Sequence, residues 1–253
     1  MLPRLPGLVD ELIAFKPDVL VGNEQAARVM KNKTSTIPIV LTNSSDPVAV
    51  GLVQSLARPG GNVTGASYQY EQLGPKHMEL LREMLPRLAK VGQLHDTNVP
   101  AHKAAEENAR QAARKLRLAY VPYYVASRID VERAFVQMEK DRPDALVPGA
   151  GSGLLFELRQ MIIENALRLR IAYCTSAGPV AEAGALMSYG ANIEEGYRLA
   201  ATYVDRILKG VKPAELPVQQ PTRFEMVINL KTAKALGVTI PQSVLLRADR
   251  MIE

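Results

Sequence analysis

A chain of 253 residues, 47% hydrophobic and 23% charged, is long enough to bury one large core or two small ones and too apolar to stay disordered. Its net charge of +5 comes in runs of no more than two basic residues and it has no Trp, which speaks against the basic face and stacking platform of nucleic-acid binders. A single cysteine, Cys174, excludes an intrachain disulfide, and no apolar run approaches the roughly 18 residues of a membrane-spanning helix.

Leu5, Leu8, Val9, Leu12 and Ile13 recur at helical spacing, and Pro17 ends that helix. Asp18–Gly22 reads as a short buried strand with Asn23 and Glu24 at its carboxyl end, and Gln25–Lys33 as a short helix. Ile37–Thr42 is apolar enough for a strand covered on both faces. A polar tip follows at Asn43–Asp46, then an amphipathic helix over Val48–Ala57, a glycine turn at Pro59–Gly61 and a strand over Asn62–Ser67. Strands joined through a helix form right-handed parallel units, and such sheets bind ligands just beyond the carboxyl ends of their strands. The polar tip is in that place. Asp46 precedes Pro47, which biases it to extended backbone and lets a helix start at the proline. Asp46 therefore either caps that helix or binds a ligand ammonium.

Gly74–Leu88 is an amphipathic helix with Met78, Leu81, Leu85 and Leu88 on one side. Lys90–Leu94 reads as a strand and His95–Asn98 as its polar end, and Pro100 opens another helix. Asn98 is placed to cap that helix, with ligand contact as the alternative. Strands follow at Leu118–Val125 and Asp144–Pro148, with a helix over Asp130–Lys140 capped by Asp130 between them. The turn Gly149–Gly153 (GAGSG) opens a helix over Leu154–Leu169. Ile171–Thr175 and Ala185–Tyr189 are strands, Ile193–Lys209 a helix, Phe224–Leu230 a late strand, and Leu230–Leu236 a helix ending at Gly237. Strand and helix alternate at intervals of about 25–30 residues, the βαβ period, in two blocks, Leu5–Ser67 and Lys90–Tyr189.

The backbone N–H groups of the GAGSG turn suit an anion, with a plain flexible turn as the alternative. It is not a dinucleotide fingerprint, because its last glycine comes one residue early, and not a P-loop, because no Lys-Ser or Lys-Thr follows. Thr175 and Ser176 end one strand; Ser188 and Tyr189 end another, where a tyrosine ring could cover a ligand, as Tyr68 could. Each has an equal structural reading. His77, His95 and His102 lack metal-ligand spacing, no G-x-S-x-G elbow is present, and Cys174 in an apolar strand reads as a buried inert thiol. The Asn62-Val63-Thr64 sequon is read as chance. No cofactor is expected. An α/β enzyme in the same crevice would need an activated base or nucleophile pair, and it remains an alternative beside a sensor or interaction module.

The DPV…GLV.SLARPGGNVTG run from Asp46 to Gly65 is similar to a signature of bacterial ABC-transporter substrate-binding proteins, in the group that resembles the tryptophan- and tyrosine-binding lipoproteins. Glu182–Gly190 (EAGALMSYG), Ala201–Gly210 (ATYVDRILKG) and the tail Leu216–Glu253 fit the same family. The resemblance implies an α/β fold like that of type I periplasmic binding proteins: two doubly wound parallel-sheet lobes with a hinge and an interlobe cleft. Residues 1–70 and 191–215 would form lobe 1, and residues 71–190 and 216–253 lobe 2, with crossings at Tyr68–Gly74, Gly190–Glu194 and Pro213–Pro221.

It further implies a non-enzymatic solute-binding component that takes a small polar ligand, an amino acid or an aromatic or carboxylated compound, and partners ABC permease subunits. Asp46 would hold an ammonium, the Gly149, Gly151 and Ser152 turn a carboxylate, and Thr42, Asn43 and Asn98 would orient the ligand. Asn23, Tyr68, Asp96, Thr175, Ser188 and Tyr189 are further candidates. Relatives carry an acidic or polar residue in a D-P-x-F pattern where this chain has glycines, which implies an altered or weakened ligand preference. Family members begin with a secretory signal, a first strand and a helix. The start MLPRLPGLVDEL reads instead as entry at the second helix, so the expectation is either that the true first strand is missing or that a partner chain, a second copy in a homodimer, covers the exposed sheet edge. The resemblance implies a periplasmic location, and a cytoplasmic one if Met1 is the true start.

Overall fold

The structure, a computed structural model, describes residues 4–253. Two compact units make it up, residues 4–69 with Asn192–Thr222, and Tyr70–Ala191 with Arg223–Glu253.

In the first unit α1 (Leu5–Ala14), β1 (Leu20–Gly22), α2 (Glu24–Lys33), β2 (Ile39–Leu41) and β3 (Val63–Gly65) follow in chain order. Among the described residues its sheet is three parallel strands, β1-β2-β3, with Ile39 opposite both Leu20 and Val63. The central strand is buried throughout because both its faces are covered. Ile39 and Leu41 pack with Val9, Ala27, Met30 and Val63 on one side, and Val40 packs with Ala200 and Tyr203 on the other. Gly65 closes β3 at φ +134°, where a Cβ would run into the backbone of Leu41, so a side chain is barred there by conformation and space alike.

The helix expected over Val48–Ala57 is a single turn. Its bonds are Val50 N–H to Asp46 O (3.2 Å) and Gly51 N–H to Val48 O (2.9 Å), after which the Leu52 and Val53 amides both return to Pro47 O. Gly51 at φ +71° reverses the chain and turns both Leu52 and Val53 into the core. The segment after Pro213 also departs from expectation. Residues 216–222 run with the first unit: Thr64 Oγ1 donates to Leu216 O at 2.6 Å, and Gln219 pairs with the chain at Gly65 and Ser67.

The second unit runs α3 (Leu73–Met84), β4 (Lys90–Asp96), α4 (His102–Lys115), β5 (Ala119–Val125), α5 (Arg128–Asp141), β6 (Ala145–Pro148), α6 (Gly153–Glu157), α7 (Arg159–Arg168), β7 (Ala172–Thr175), α8 (Gly178–Glu182) and β8 (Met187–Ala191). The chain then passes through α9 (Ile193–Leu208) in the first unit and returns as β9 (Phe224–Asn229), α10 (Leu230–Leu236), α11 (Gln242–Leu245) and β10 (Arg250–Ile252). The sheet order is β10-β9-β8-β7-β6-β4-β5. One core, including Val91, Ala145 and Val147, gathers α3 and α4 on one face, and a second, including Leu94 and Leu146, gathers α5 and α7 on the other.

This sheet is not wholly parallel, as had been expected. β8 and β9 are antiparallel, because β9 begins opposite the last residue of β8 (Phe224 against Ala191) and must run back from that edge. The long helix expected over Leu154–Leu169 is broken at Leu158, and α8, α11 and β10 are additions to the sequence reading. The cap of α5 is Ser127 rather than Asp130. Asp130 takes the third helical position: its amide donates to Ser127 Oγ (3.3 Å), and its carboxylate accepts from the Ser127 hydroxyl (2.7 Å) and the Ala126 amide (3.1 Å).

Candidate functional site

In the second unit β4 lies between β5 and β6, so the chain order reverses across β4 and β6. The carboxyl edge of such a reversal is where open α/β sheets form ligand sites. Asp96 ends β4 there, 2% exposed. Its Oδ2 accepts from Ser152 Oγ at 2.6 Å, and its Oδ1 accepts from the Asn98 amide (3.0 Å) and Asn98 Nδ2 (2.9 Å). The Ser152 hydroxyl also accepts the Leu155 amide at 3.1 Å and so caps α6. Three sequence candidates thus meet, and their polar atoms serve one another. The expected cap of α4 by Asn98 is not made, because a turn closed by Val99 N–H to Asp96 O delays the helix to His102.

The glycine turn is packed rather than open. Neither Gly149 nor Gly151 has a positive φ. A Cβ at Gly149 would lie 2.7 Å from His95 Nδ1, and one at Gly151 would strike the Tyr70 ring. Two rings, missed in the sequence, occupy the space of the absent side chains. The His95 ring is set by a buried chain of hydrogen bonds: Gln93 Nε2 donates to Pro148 O (2.9 Å), and Tyr120 Oη donates to Gln93 Oε1 (2.7 Å). The Tyr120 oxygen is then left to accept from His95 Nε2 at 2.8 Å. That order assigns the proton to Nε2 and leaves Nδ1, which has no hydrogen-bond partner among the described residues, facing the turn. Burial holds the His95 pKa down, to about 4.

Thr175 ends β7 buried, its hydroxyl near the Ala177 amide (3.5 Å), and Ser188 lies opposite it in the ladder. Tyr189 stacks on Phe224, with ring centres 5.7 Å apart and planes 15° from parallel, and meets the His77 ring edge-on. His77 is fully enclosed on α3, its Nε2 2.7 Å from Tyr189 O, and desolvation lowers its pKa to about 4. Its place beside Met78 on the apolar face of α3 was the sequence signal for that burial.

In the first unit the tip after β2 holds Thr42, Ser44 and Ser45 buried and Asn43 and Asp46 half-buried. Asp46 Oδ1 accepts the amides of Val48 and Ala49, both at 3.0 Å, the capping role. Asn43 Nδ2 lies 3.4 Å from Thr42 Oγ1. Asn23 caps α2 through the Ala26 amide (3.0 Å). Tyr68 is only 4% exposed, with its hydroxyl donating to Asn192 O at 3.3 Å and its ring against Gly196; burial raises its pKa to about 12. It is a core residue of its own unit.

Among the described residues no cluster of three His, Cys, Asp or Glu side chains is placed to hold a metal ion. Cys174 is enclosed in β7, and desolvation pushes its thiol pKa up.

A family profile described as ABC transporter substrate binding protein matches residues 5–252. The chain is 27% identical over 239 residues to a tyrosine-binding protein of Clostridioides difficile, covering 94% of this chain and 68% of the relative. A domain from Streptococcus pneumoniae, solved with L-Trp, superposes with a TM-score of 0.89 at 27% identity, covering 99% of this chain and 86% of that one. A conserved domain protein from Vibrio cholerae superposes at 0.90 with 29% identity, covering 99% and 84%. The architecture is that of type I periplasmic binding proteins.

Proposed function

This chain belongs to the ABC transporter substrate-binding protein family, and from that membership we propose that it binds an aromatic amino acid and presents it to an ABC permease. The observation that supports this reading most is the match along nearly the whole chain to a tyrosine-binding protein, together with the fold shared with a domain solved with L-Trp. The role is binding without turnover, in the periplasmic or extracellular setting of the family. In the first unit, Asp46 takes the ligand ammonium through the oxygen that does not cap, with Thr42 and Asn43 beside it. In the second unit, the backbone at Gly151 and Ser152 meets a carboxylate, and Asp96 and Asn98 hold that turn in place through Ser152.

Isothermal titration against L-Trp, L-Tyr, L-Phe, L-Leu and benzoate tests the reading. Binding of an aromatic amino acid is expected, and at a hundred times its Kd the ligand should stabilise the fold by about 2.7 kcal/mol. A cooperative melt with no binding across the panel overturns the ligand class. Unchanged affinity in Asp46→Ala would remove that residue from the site, and unchanged affinity in Ser152→Ala would show that the hydroxyl bond to Asp96 does not position the turn for the ligand.

A further inference from the structure

Glu24 opens α2 directly after β1, and its carboxylate is nearly enclosed, 8% of the residue being exposed. A polar side chain enclosed in this way needs hydrogen-bond partners, since burying one unsatisfied is costly. Its contacts all go to one place. The Glu24 amide donates to Asn43 O at 3.1 Å, while its Oε2 accepts from Ser44 Oγ (2.7 Å) and from the Ser45 amide (2.8 Å). From the other side, Tyr68 N–H donates to Ser44 O (2.7 Å), and Ser67 Oγ (2.9 Å) and Gln69 N–H (3.2 Å) donate to Ser45 O. The carbonyls of three consecutive tip residues are thereby fixed, and the carboxylate bonds are the charge-assisted ones.

We propose that Glu24 is a positioning residue for ligand binding: it holds the Thr42–Asp46 tip in the one shape that offers Thr42, Asn43 and the outer oxygen of Asp46 to the ligand. The inference rests on the reading of that tip as a ligand-binding edge. A loop already ordered before binding loses less conformational freedom on binding. Glu24 need not touch the ligand; it acts through Ser44 and Ser45.

The test compares wild type with Glu24→Gln, which preserves volume while replacing the two-bond anionic acceptor by an amide, and with Glu11→Gln on the exposed face of α1 as a control. Two readouts are taken well below the melting midpoint: the Ser45 amide in proton–nitrogen spectra of the free protein, and the Kd for L-Trp and L-Tyr by titration. In Glu24→Gln the Ser45 amide is expected to shift upfield and exchange with solvent at least tenfold faster, and Kd to rise about tenfold, with the control unchanged. An unmoved Ser45 amide overturns the proposal, as does a loosened amide with unchanged affinity, since Glu24 would then serve stability alone. If wild type binds neither amino acid, the ligand reading fails, and the Ser45 amide in the free protein still decides whether Glu24 orders the tip. Ser44→Ala, which removes one of the two carboxylate bonds, supplies the same readouts if Glu24→Gln does not fold, with a smaller change of the same sign expected.

Discussion

Ser152 donates its hydroxyl proton to Asp96 Oδ2 at 2.6 Å while accepting the Leu155 amide at 3.1 Å, so one side chain both starts α6 and satisfies a buried carboxylate at the end of β4. Removing it leaves the buried Asp96 carboxylate short of a donor, at a cost of about 1–3 kcal/mol. Ser152→Ala is therefore expected to lower the urea midpoint with an unchanged slope. A variant as stable as wild type would mean the Asp96–Ser152 bond is not formed in solution.

Asp46 combines two roles that a charge swap separates. Asp46→Asn retains the capping oxygen, so its stability should stay within about 0.5 kcal/mol of wild type, whereas Asp46→Ala loses the cap at about 1 kcal/mol. Affinity for an amino-acid ammonium should fall in both. If Asp46→Asn binds as wild type does, the residue is a cap only.

The glycines of the turn answer to neighbouring rings, not to backbone conformation. Gly149→Ala should destabilise by about 1–3 kcal/mol through overpacking against His95, 2.7 Å from the new methyl. The same change in a His95→Ala background should cost less, and a double-mutant cycle measures the coupling. Additive costs would locate the strain elsewhere.

Both enclosed histidines make stability depend on pH in one direction. Their rings stay neutral in the fold down to about pH 4, whereas in the unfolded chain they take a proton near the ordinary value of 6.5. The unfolded state thus binds more protons in that window, and stability should fall as pH drops from about 6.5 to about 4, by up to about 1.4 kcal/mol per pH unit for each ring. Urea melts at intervals of pH check this, and replacing either histidine by Gln should flatten the slope.

Cys174 should ignore thiol reagents in the native state, because the thiolate is the reactive form and burial disfavours it. Labelling should appear only at the rate of unfolding. Rapid labelling of the folded chain would show that β7 opens.

The elements were legible in the sequence because their patterns are local. Apolar runs such as Ile39–Leu41 mark strands buried on both faces, the spacing on α3 marks its buried side, and the motif run from Asp46 to Gly65 carried the family. A polar tip after β2 could be placed from strand ends alone. Whether Asp46 capped or lay free could not, since both outcomes use the same residue at the same spacing.

Tertiary structure decided the rest. β9 runs antiparallel because the chain returns beside the last residue of β8, a fact with no local signature. Tyr68 is core and Tyr70 lies on the glycine turn although the two are only two residues apart, because direction in space, not composition, assigns a ring its neighbours. The glycines at 149 and 151 looked like flexibility until His95 and Tyr70 were seen to fill their space. Glu24 showed its purpose only once Ser44 and Ser45, 20 and 21 residues further on, folded onto its carboxylate. Sequence determines which residues are polar, apolar or small, whereas the hydrogen bonds that give those polar residues their roles close over long separations and exist only in the folded chain.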